Sequence, residues 1–292
     1  MTLGKQLLPL CPFVVETGTH KEALKSVYNV GRVYSEDSEE NAFDHYVWQD
    51  SEIGAADIIV SQAQSQKTLN DSELSSEWCS FYSKNSRAFF KDRNWILKEF
   101  YQLKPTHNNF KILDIGCGVG NTSIPLIEKL ETDFSYHIHA CDYSKIAIDH
   151  FPKSDLVTAF VHDAIVPFPI NNVDVSTLFF VLSAIKAENW QTVLSNVFNS
   201  LKPGGVLLFR DYGYYDLTQL RFKPKQCIGD SLYQRSDGTL TYFAKIEWLS
   251  KLATEIGFDI QQLILDRRVI VNRKTRVKMK RVWIHGCFRK PE

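Results

Sequence analysis

From residue 110 onward, short unbroken apolar runs alternate with segments of helical spacing. Phe110-Lys111-Ile112-Leu113-Asp114-Ile115 reads as a buried strand. A helix is expected over 121–130 despite Pro125, then strands over 137–141, 159–162 and 173–182; Asp142 and Asp163 end the first two. Trp190, Val193, Leu194, Val197, Phe198 and Leu201 have helical spacing, and Lys202-Pro203-Gly204-Gly205 stops that helix before a fifth strand at 206–209. Strands alternating with helices predict an α/β fold with a parallel sheet covered on both faces. The end of the chain differs. A helix over 246–256 stops at Gly257, and two long strand-like runs, 259–271 and 277–287, flank a basic connector. They predict an antiparallel hairpin on the sheet edge.

The first 75 residues are polar, acidic and weakly periodic, and are expected to form a partly ordered N-terminal extension, with Phe43, Tyr46 and Trp48 in a short docking segment. Residues 76–108 are aromatic and basic and predict one or two helices; 109–292 form the main domain. Of the 292 residues, 44% are hydrophobic, enough for a sizeable core, and no apolar run is long enough to span a bilayer. The six cysteines form no Cys-x-x-Cys pair, which argues against a zinc ribbon or a disulfide framework and points to a reducing compartment. No secretory or mitochondrial address is evident in residues 1–20.

Zero net charge hides a segregation. Residues 36–77 hold eleven acids and one base, 79–104 hold six bases and two acids, and 267–292 hold ten bases and one acid. That pattern points to a polyanionic partner, or else to acidic and basic stretches that pair with each other.

The most informative string is Leu113-Asp114-Ile115-Gly116-Cys117-Gly118-Val119-Gly120, a strand running into a glycine turn that opens a helix. A dinucleotide cradle of the Gly-x-Gly-x-x-Gly type would need glycine where Asn121 stands, so a nicotinamide cofactor is disfavoured. The turn suits a small zwitterion. Asp142 is placed to accept both hydroxyls of a ribose, Asp163 to meet an adenine amine with Ala164 beside it, and Phe179 and Phe180 lie on the fourth strand. Each acid also has a plain reading as a helix cap or turn residue. His137 and His139 share a strand face, but no third ligand is evident, and no metal is expected.

This pattern, with Lys202-Pro203-Gly204-Gly205 and the final hairpin, resembles the class I S-adenosylmethionine methyltransferases. The resemblance implies a Rossmann-like, seven-stranded, mostly parallel sheet with an antiparallel last strand, plus an N-terminal helical extension. It implies S-adenosylmethionine as cofactor, held by Gly116, Gly118, Asp142, Asp163 and Ala164, with Phe179 close by. Three further strings are Phe89-Phe90-Lys91-Asp92-Arg93-x-Trp95, Phe180-Val181-Leu182-Ser183-Ala184 and Leu208-Phe209-Arg210-Asp211-Tyr212-Gly213. With Trp78-x-x-x-Tyr82 they resemble the tRNA N3-methylcytidine methyltransferases of the methyltransferase-like group, which modify position 32 of the anticodon loop. By that resemblance Trp78 and Tyr82 cover the cofactor. Asn41-Ala-Phe-Asp44-x-x-x-Trp48 is similar to a segment of the branch acting on threonine tRNAs; the sister branch acts on serine tRNAs with seryl-tRNA synthetase as helper. Ala164 departs from the family, which often has Leu there, and should loosen an adenine contact.

Cytosine N3 is neutral at pH 7 and carries an in-plane lone pair, so catalysis would be mostly positioning and electrostatics on an unstacked base. Asp211, Arg93 and Tyr212 are the expected catalytic residues: Asp211 beside the ring as it gains charge, Tyr212 to stack or hydrogen-bond, and Arg93 on the base carbonyl or a phosphate. Ion pairs of Asp211 with Arg210 and of Arg93 with Asp92 are the structural alternatives. Phe89 and Phe90 are expected in the pocket wall, and Lys91, Arg210, Arg267 and Arg268 on the RNA, with Lys84 and Arg87 nearby. The same fold also serves methyltransferases acting on small molecules or proteins, and a non-catalytic RNA-binding subunit is a further alternative. A monomer in the cytoplasm, with the nucleus as a second location, is the expected setting.

Overall fold

The computed structural model describes residues 50–63, 77–85, 89–272 and 277–292. Phe43, Tyr46, Trp48 and Arg87 lie outside the described residues. Among the described residues, seven strands form one sheet in the order β3-β2-β1-β4-β5-β10-β9. They are β1 (Phe110–Ile115), β2 (Tyr136–Asp142), β3 (Val157–Val161), β4 (Val173–Phe179), β5 (Leu201–Tyr212), β9 (Asp259–Asn272) and β10 (Val277–Arg289). β1 to β5 run parallel. β10 enters antiparallel between β5 and β9.

The apolar pattern explains this order. All seven residues of β4 are buried, as befits a central parallel strand covered on both faces. One face packs Leu178, Leu207 and Phe209 against α6 (Trp190–Ser200) and α8 (Ile246–Ile256). The other packs Ile112, Val175, Phe179 and Leu208 against Ile96, Phe100 and Leu103, the first from the short α3 (Ile96–Glu99). α8 ends where expected, with Gly257 in the left-handed region at φ 106°.

The structure departs from the sequence reading in three places. β4 stops at Phe179 because Phe180 turns the chain at φ 59°. β5 starts at Leu201, earlier than expected, because the Lys202-Pro203-Gly204-Gly205 stretch already lies along β4 and β10. A second, three-stranded sheet of β6 (Cys227–Gly229), β7 (Leu232–Gln234) and β8 (Leu240–Tyr242) is inserted between β5 and α8.

Two helices precede the sheet. α1 (Asp50–Ala63), within the expected extension, buries Ala56, Ile59 and Val60 against Leu220 and Val282. α2 (Glu77–Lys84) buries Phe81 and Tyr82 against Val119 and Ala147. Among the described residues, no helix is long and apolar enough to cross a membrane.

Candidate active site

At the carboxyl ends of the parallel strands, where open α/β sheets bind ligands, lies a cavity of about 290 Å³. Its floor is the turn after β1. Gly116 takes φ 63°, and a Cβ there would lie 2.3 Å from a Val181 methyl. Gly118 takes φ 54°, and its Cβ would meet the Tyr82 hydroxyl at 2.6 Å. Any side chain at either position would collide as well as strain the backbone.

Asp142 ends β2 on the cavity wall. One of its oxygens accepts the Gly118 N–H at 2.9 Å and the other the Ser144 N–H at 2.8 Å. Ser144 in turn caps α5 (Lys145–Asp149), accepting from the Ala147 N–H. Burial raises the Asp142 carboxyl to about 6, against the pull of those two amides. Asp163 and Ala164 follow β3 onto the same wall, and Asp163 caps its own turn by accepting the Ile165 N–H at 3.1 Å. Trp78 and Tyr82, one turn apart on α2, close the near side. Burial, then nearby Asp142, raises the Tyr82 phenol far above its ordinary value.

Six of the expected cofactor residues, Trp78, Tyr82, Gly116, Asp142, Asp163 and Ala164, therefore meet at one cavity, and Gly118 sits behind it. Phe179 does not reach it. Its ring is 1% exposed and packs at a tilt on Phe100 in the core. The turn at Phe180 puts Phe180 at the cavity instead. Sequence reasoning also missed Tyr143, His162, Val181 and Lys186 in the lining. The only signal for the first two was adjacency to an acid at a strand end. Asp114 turns away from the cavity and accepts hydrogen bonds from Ser123 and Thr177, tying the helix after the glycine turn to β4.

Beyond Phe180 the wall becomes aromatic and cationic. The Tyr212 ring lies 5.2 Å from the Phe180 ring and the Trp283 ring 6.4 Å from it, centre to centre. Asp211 is 2% exposed and lies behind this wall, accepting the Ser183 N–H at 2.9 Å and the Tyr212 N–H at 2.8 Å. Burial raises it to about 6. No Asp211–Arg210 pair forms.

Arg210 is corrected from RNA contact to core. Its side chain is 3% exposed, bonded to Glu99 and Asp266 and sandwiched between Trp95 and Trp283 at 4.8 and 4.5 Å. Arg268 is likewise committed to Glu99 at 2.7 Å and Asp266 at 2.8 Å. Arg267 is half-buried and pairs in register with Val282.

Arg93 is a brace: its guanidinium donates to Thr122 Oγ1 and to the Phe179 carbonyl, and its backbone N–H donates to the Asn121 carbonyl. It thereby ties the glycine turn to the Phe180 turn. Asp92 is taken by Asn121, not by Arg93. Phe89, Phe90 and Lys91 are exposed beside α2, the two rings packing edge-on to each other. Among the described residues, no three His, Cys, Asp or Glu are placed to hold a metal ion.

A methyltransferase-domain family model matches residues 113–207. The chain is 40% identical to a tRNA N(3)-methylcytidine methyltransferase of Drosophila melanogaster, covering 86% of this chain and 84% of that one. It is 35% identical to a tRNA N(3)-methylcytidine methyltransferase of Schizosaccharomyces pombe, covering 94% and 96%. A S-adenosylmethionine-dependent methyltransferase of Anabaena variabilis superimposes with a TM-score of 0.56 at 12% identity, covering 78% of this chain and 98% of that chain, which speaks to the fold. Sheet order, glycine turn and strand-end acids thus define a class I S-adenosylmethionine-dependent methyltransferase. Within that class, the chain belongs to the tRNA N(3)-methylcytidine methyltransferase family.

The residues present fit S-adenosylmethionine. The Asp142 carboxylate spends one backbone amide per oxygen and keeps lone pairs for a ribose diol. The bare Gly116 backbone would take the methionine end, and the rings of Trp78 and Tyr82, which line the same cavity, would lie against the sulfonium.

A pH dependence follows. Diol binding favours the ionised Asp142 carboxylate, whose value in the free protein is about 6. Cofactor affinity should be flat above pH 7 and weaken by roughly tenfold per pH unit below 6. Calorimetric titration with S-adenosylhomocysteine from pH 5 to 8 checks this, and a flat profile would remove the carboxylate from the binding equilibrium.

Proposed function

We propose that this protein methylates N3 of a cytidine in tRNA, at position 32 of the anticodon loop, with threonine tRNAs as preferred substrates. The kinship carries the coarse reading: relatives named tRNA N(3)-methylcytidine methyltransferases align over most of the chain. The aromatic and cationic wall beyond the cavity supports it, because an unstacked base needs ring faces and hydrogen-bond donors. When bound, S-adenosylmethionine supplies a methyl whose S–C bond breaks as the N3 lone pair forms the new N–C bond, moving positive charge from sulfur to the ring.

The chain's own work is positioning and electrostatics. Phe180 and Tyr212 supply the stacking faces next to the cofactor cavity. Arg93 fixes the Phe180 turn against the glycine turn, tying acceptor wall to cofactor floor. Asp211 acts through its charge: behind Tyr212, in a poorly solvated site, a carboxylate stabilises the ring cation without touching it. Asp211→Asn should leave S-adenosylhomocysteine affinity unchanged and lower kcat by about tenfold or more. Unchanged turnover in single-turnover assays would end that role.

The reading is tested by nucleoside mass spectrometry of individual tRNAs from cells with and without this protein, paired with methyl transfer by the purified protein to threonine and serine tRNAs. Loss of 3-methylcytidine from threonine tRNAs alone, matched in vitro, supports the full proposal. Loss from serine tRNAs alone moves the substrate to the other branch. No transfer to any tRNA, with S-adenosylhomocysteine still bound, would leave a methyltransferase of another substrate class.

A further inference from the structure

The inserted sheet delivers one arginine to the acceptor wall that nothing else in the fold accounts for. Arg235 follows β7 and opens the tight turn to β8. Its N–H donates to the Thr239 carbonyl at 2.8 Å, and its own carbonyl accepts the Gly238 N–H at 3.0 Å. Gly238 sits at φ 89°, where a Cβ would lie 2.3 Å from a Glu77 carboxylate oxygen, so the turn is wedged against the start of α2. Leu240, just past the turn, lines the cofactor cavity. The turn is therefore fixed at the junction of cofactor lid and acceptor wall.

The Arg235 side chain is half-buried, and its guanidinium lies 5.9 Å from the Tyr212 ring centre. Its positive charge reaches Asp211. Of its five N–H donors, the only side-chain contacts among the described residues are at 3.4 Å to Thr239 Oγ1 and 3.5 Å to the Leu240 carbonyl, both at the outer limit of a hydrogen bond. It makes no ion pair among the described residues. The neighbouring arginines differ. Arg93 is spent on Thr122 and Phe179, Arg210 on Glu99 and Asp266, and Arg281 on Asp216. A half-desolvated guanidinium with idle donors above a stacking ring is a binding group awaiting its acceptor.

Resting on the tRNA reading above, we infer that Arg235 positions the acceptor base by donating to its ring carbonyl O2, next to the reacting N3. The place of Arg235 favours the base over a phosphate: it lies over Tyr212 and against the carbonyl of the cavity-lining Leu240. A guanidinium at O2 opposes the charge that appears on the ring, and the Asp211 carboxylate behind Tyr212 offsets it. Arg235 is thus a positioning group, with Asp211 as its electrostatic counterweight.

The test pairs a protein change with a single-atom change in the substrate. Full-length tRNA is prepared with cytidine or 2-thiocytidine at the acceptor position, because sulfur is a much weaker hydrogen-bond acceptor than oxygen. Arg235→Gln and Arg235→Lys are compared with the wild type, with S-adenosylhomocysteine affinity confirming an intact fold. The expected result is a loss of about 10- to 100-fold in kcat/KM for Arg235→Gln on normal tRNA. The ratio of cytidine to 2-thiocytidine rates should also shrink by about tenfold in the variant. An unchanged ratio would overturn the O2 contact and assign Arg235 to a phosphate or to the fold. A wild type that methylates neither tRNA, while binding S-adenosylhomocysteine, would remove the tRNA reading and this contact with it, a result distinct from an active enzyme with an unchanged ratio.

Discussion

Asp142→Ala should weaken S-adenosylhomocysteine binding by 100-fold or more and leave the sheet folded. Two hydroxyls of a ribose would lose a charged acceptor, and hydrogen bonds to charged groups contribute roughly 1.5–3 kcal/mol each. The effect has a second part. Asp142 also accepts the Gly118 and Ser144 N–H groups, so its removal frees the glycine turn from the end of β2. Asp142→Asn separates the two: the amide oxygen still takes one backbone N–H, yet the charge is gone, and an intermediate loss of about tenfold is expected. The fold itself should not suffer. Linkage sets the sign. A carboxyl raised from 3.8 to about 6 in the folded state makes stability fall as pH rises between those values. At pH 7 the ionised, buried Asp142 therefore costs stability relative to its protonated form, which offsets part of the cost of leaving the Gly118 and Ser144 N–H groups without their acceptor, so Asp142→Ala should melt close to the wild type. Calorimetry and a thermal melt on one preparation decide it; an affinity unchanged from wild type would take Asp142 out of the site.

The glycine turn and strand-end acids were legible because they depend on local rules. A strand, positive-φ glycines and an acid one βαβ step later stand within about thirty residues of each other. The edge hairpin was legible for the same reason, since β9 and β10 are long and adjacent. The inserted sheet was not, because β6, β7 and β8 have three residues each, too few to show alternation. Phe179 and Phe180 could not be told apart because β4 is buried on both faces, so no polar position marks the register. The left-handed turn that exchanges their roles falls on a phenylalanine, where no residue-type rule expects it. Trp78 and Tyr82 were placed by family resemblance and helical spacing together; either alone allowed plain core packing. Arg210 was misread because a charge next to Asp211 looks like site chemistry. Its true partners, Glu99 and Asp266, lie 111 and 56 positions away in the chain.

Arg210→Ala should accordingly act on stability, not on RNA. Glu99 and Asp266 each bridge Arg210 and Arg268, closing a ring of two anions and two cations between α3, β5 and β9. Asp266 is 2% exposed, and the Arg210 side chain 3%. Removing Arg210 takes one of their two arginines from both carboxylates, and breaking a buried pair on one side costs about 3–5 kcal/mol. Its cation–π sandwich between Trp95 and Trp283 is lost too, leaving a gap beside the acceptor wall. Since whole domains are stable by only about 5–15 kcal/mol, the melting temperature should drop by roughly 6–20 °C. Arg268→Ala should cost far less, because that side chain is 27% exposed and water can replace it. Arg210→Met tests the same point from the other direction: it keeps the volume between the tryptophans but not the charge, so it should be nearly as destabilising as Arg210→Ala. A variant that melts with the wild type yet loses tRNA affinity would return Arg210 to the RNA-binding surface. A variant that melts early but binds tRNA normally below its transition places Arg210 where the geometry does, as the buried tie between the β9–β10 hairpin and the wall beside the acceptor base.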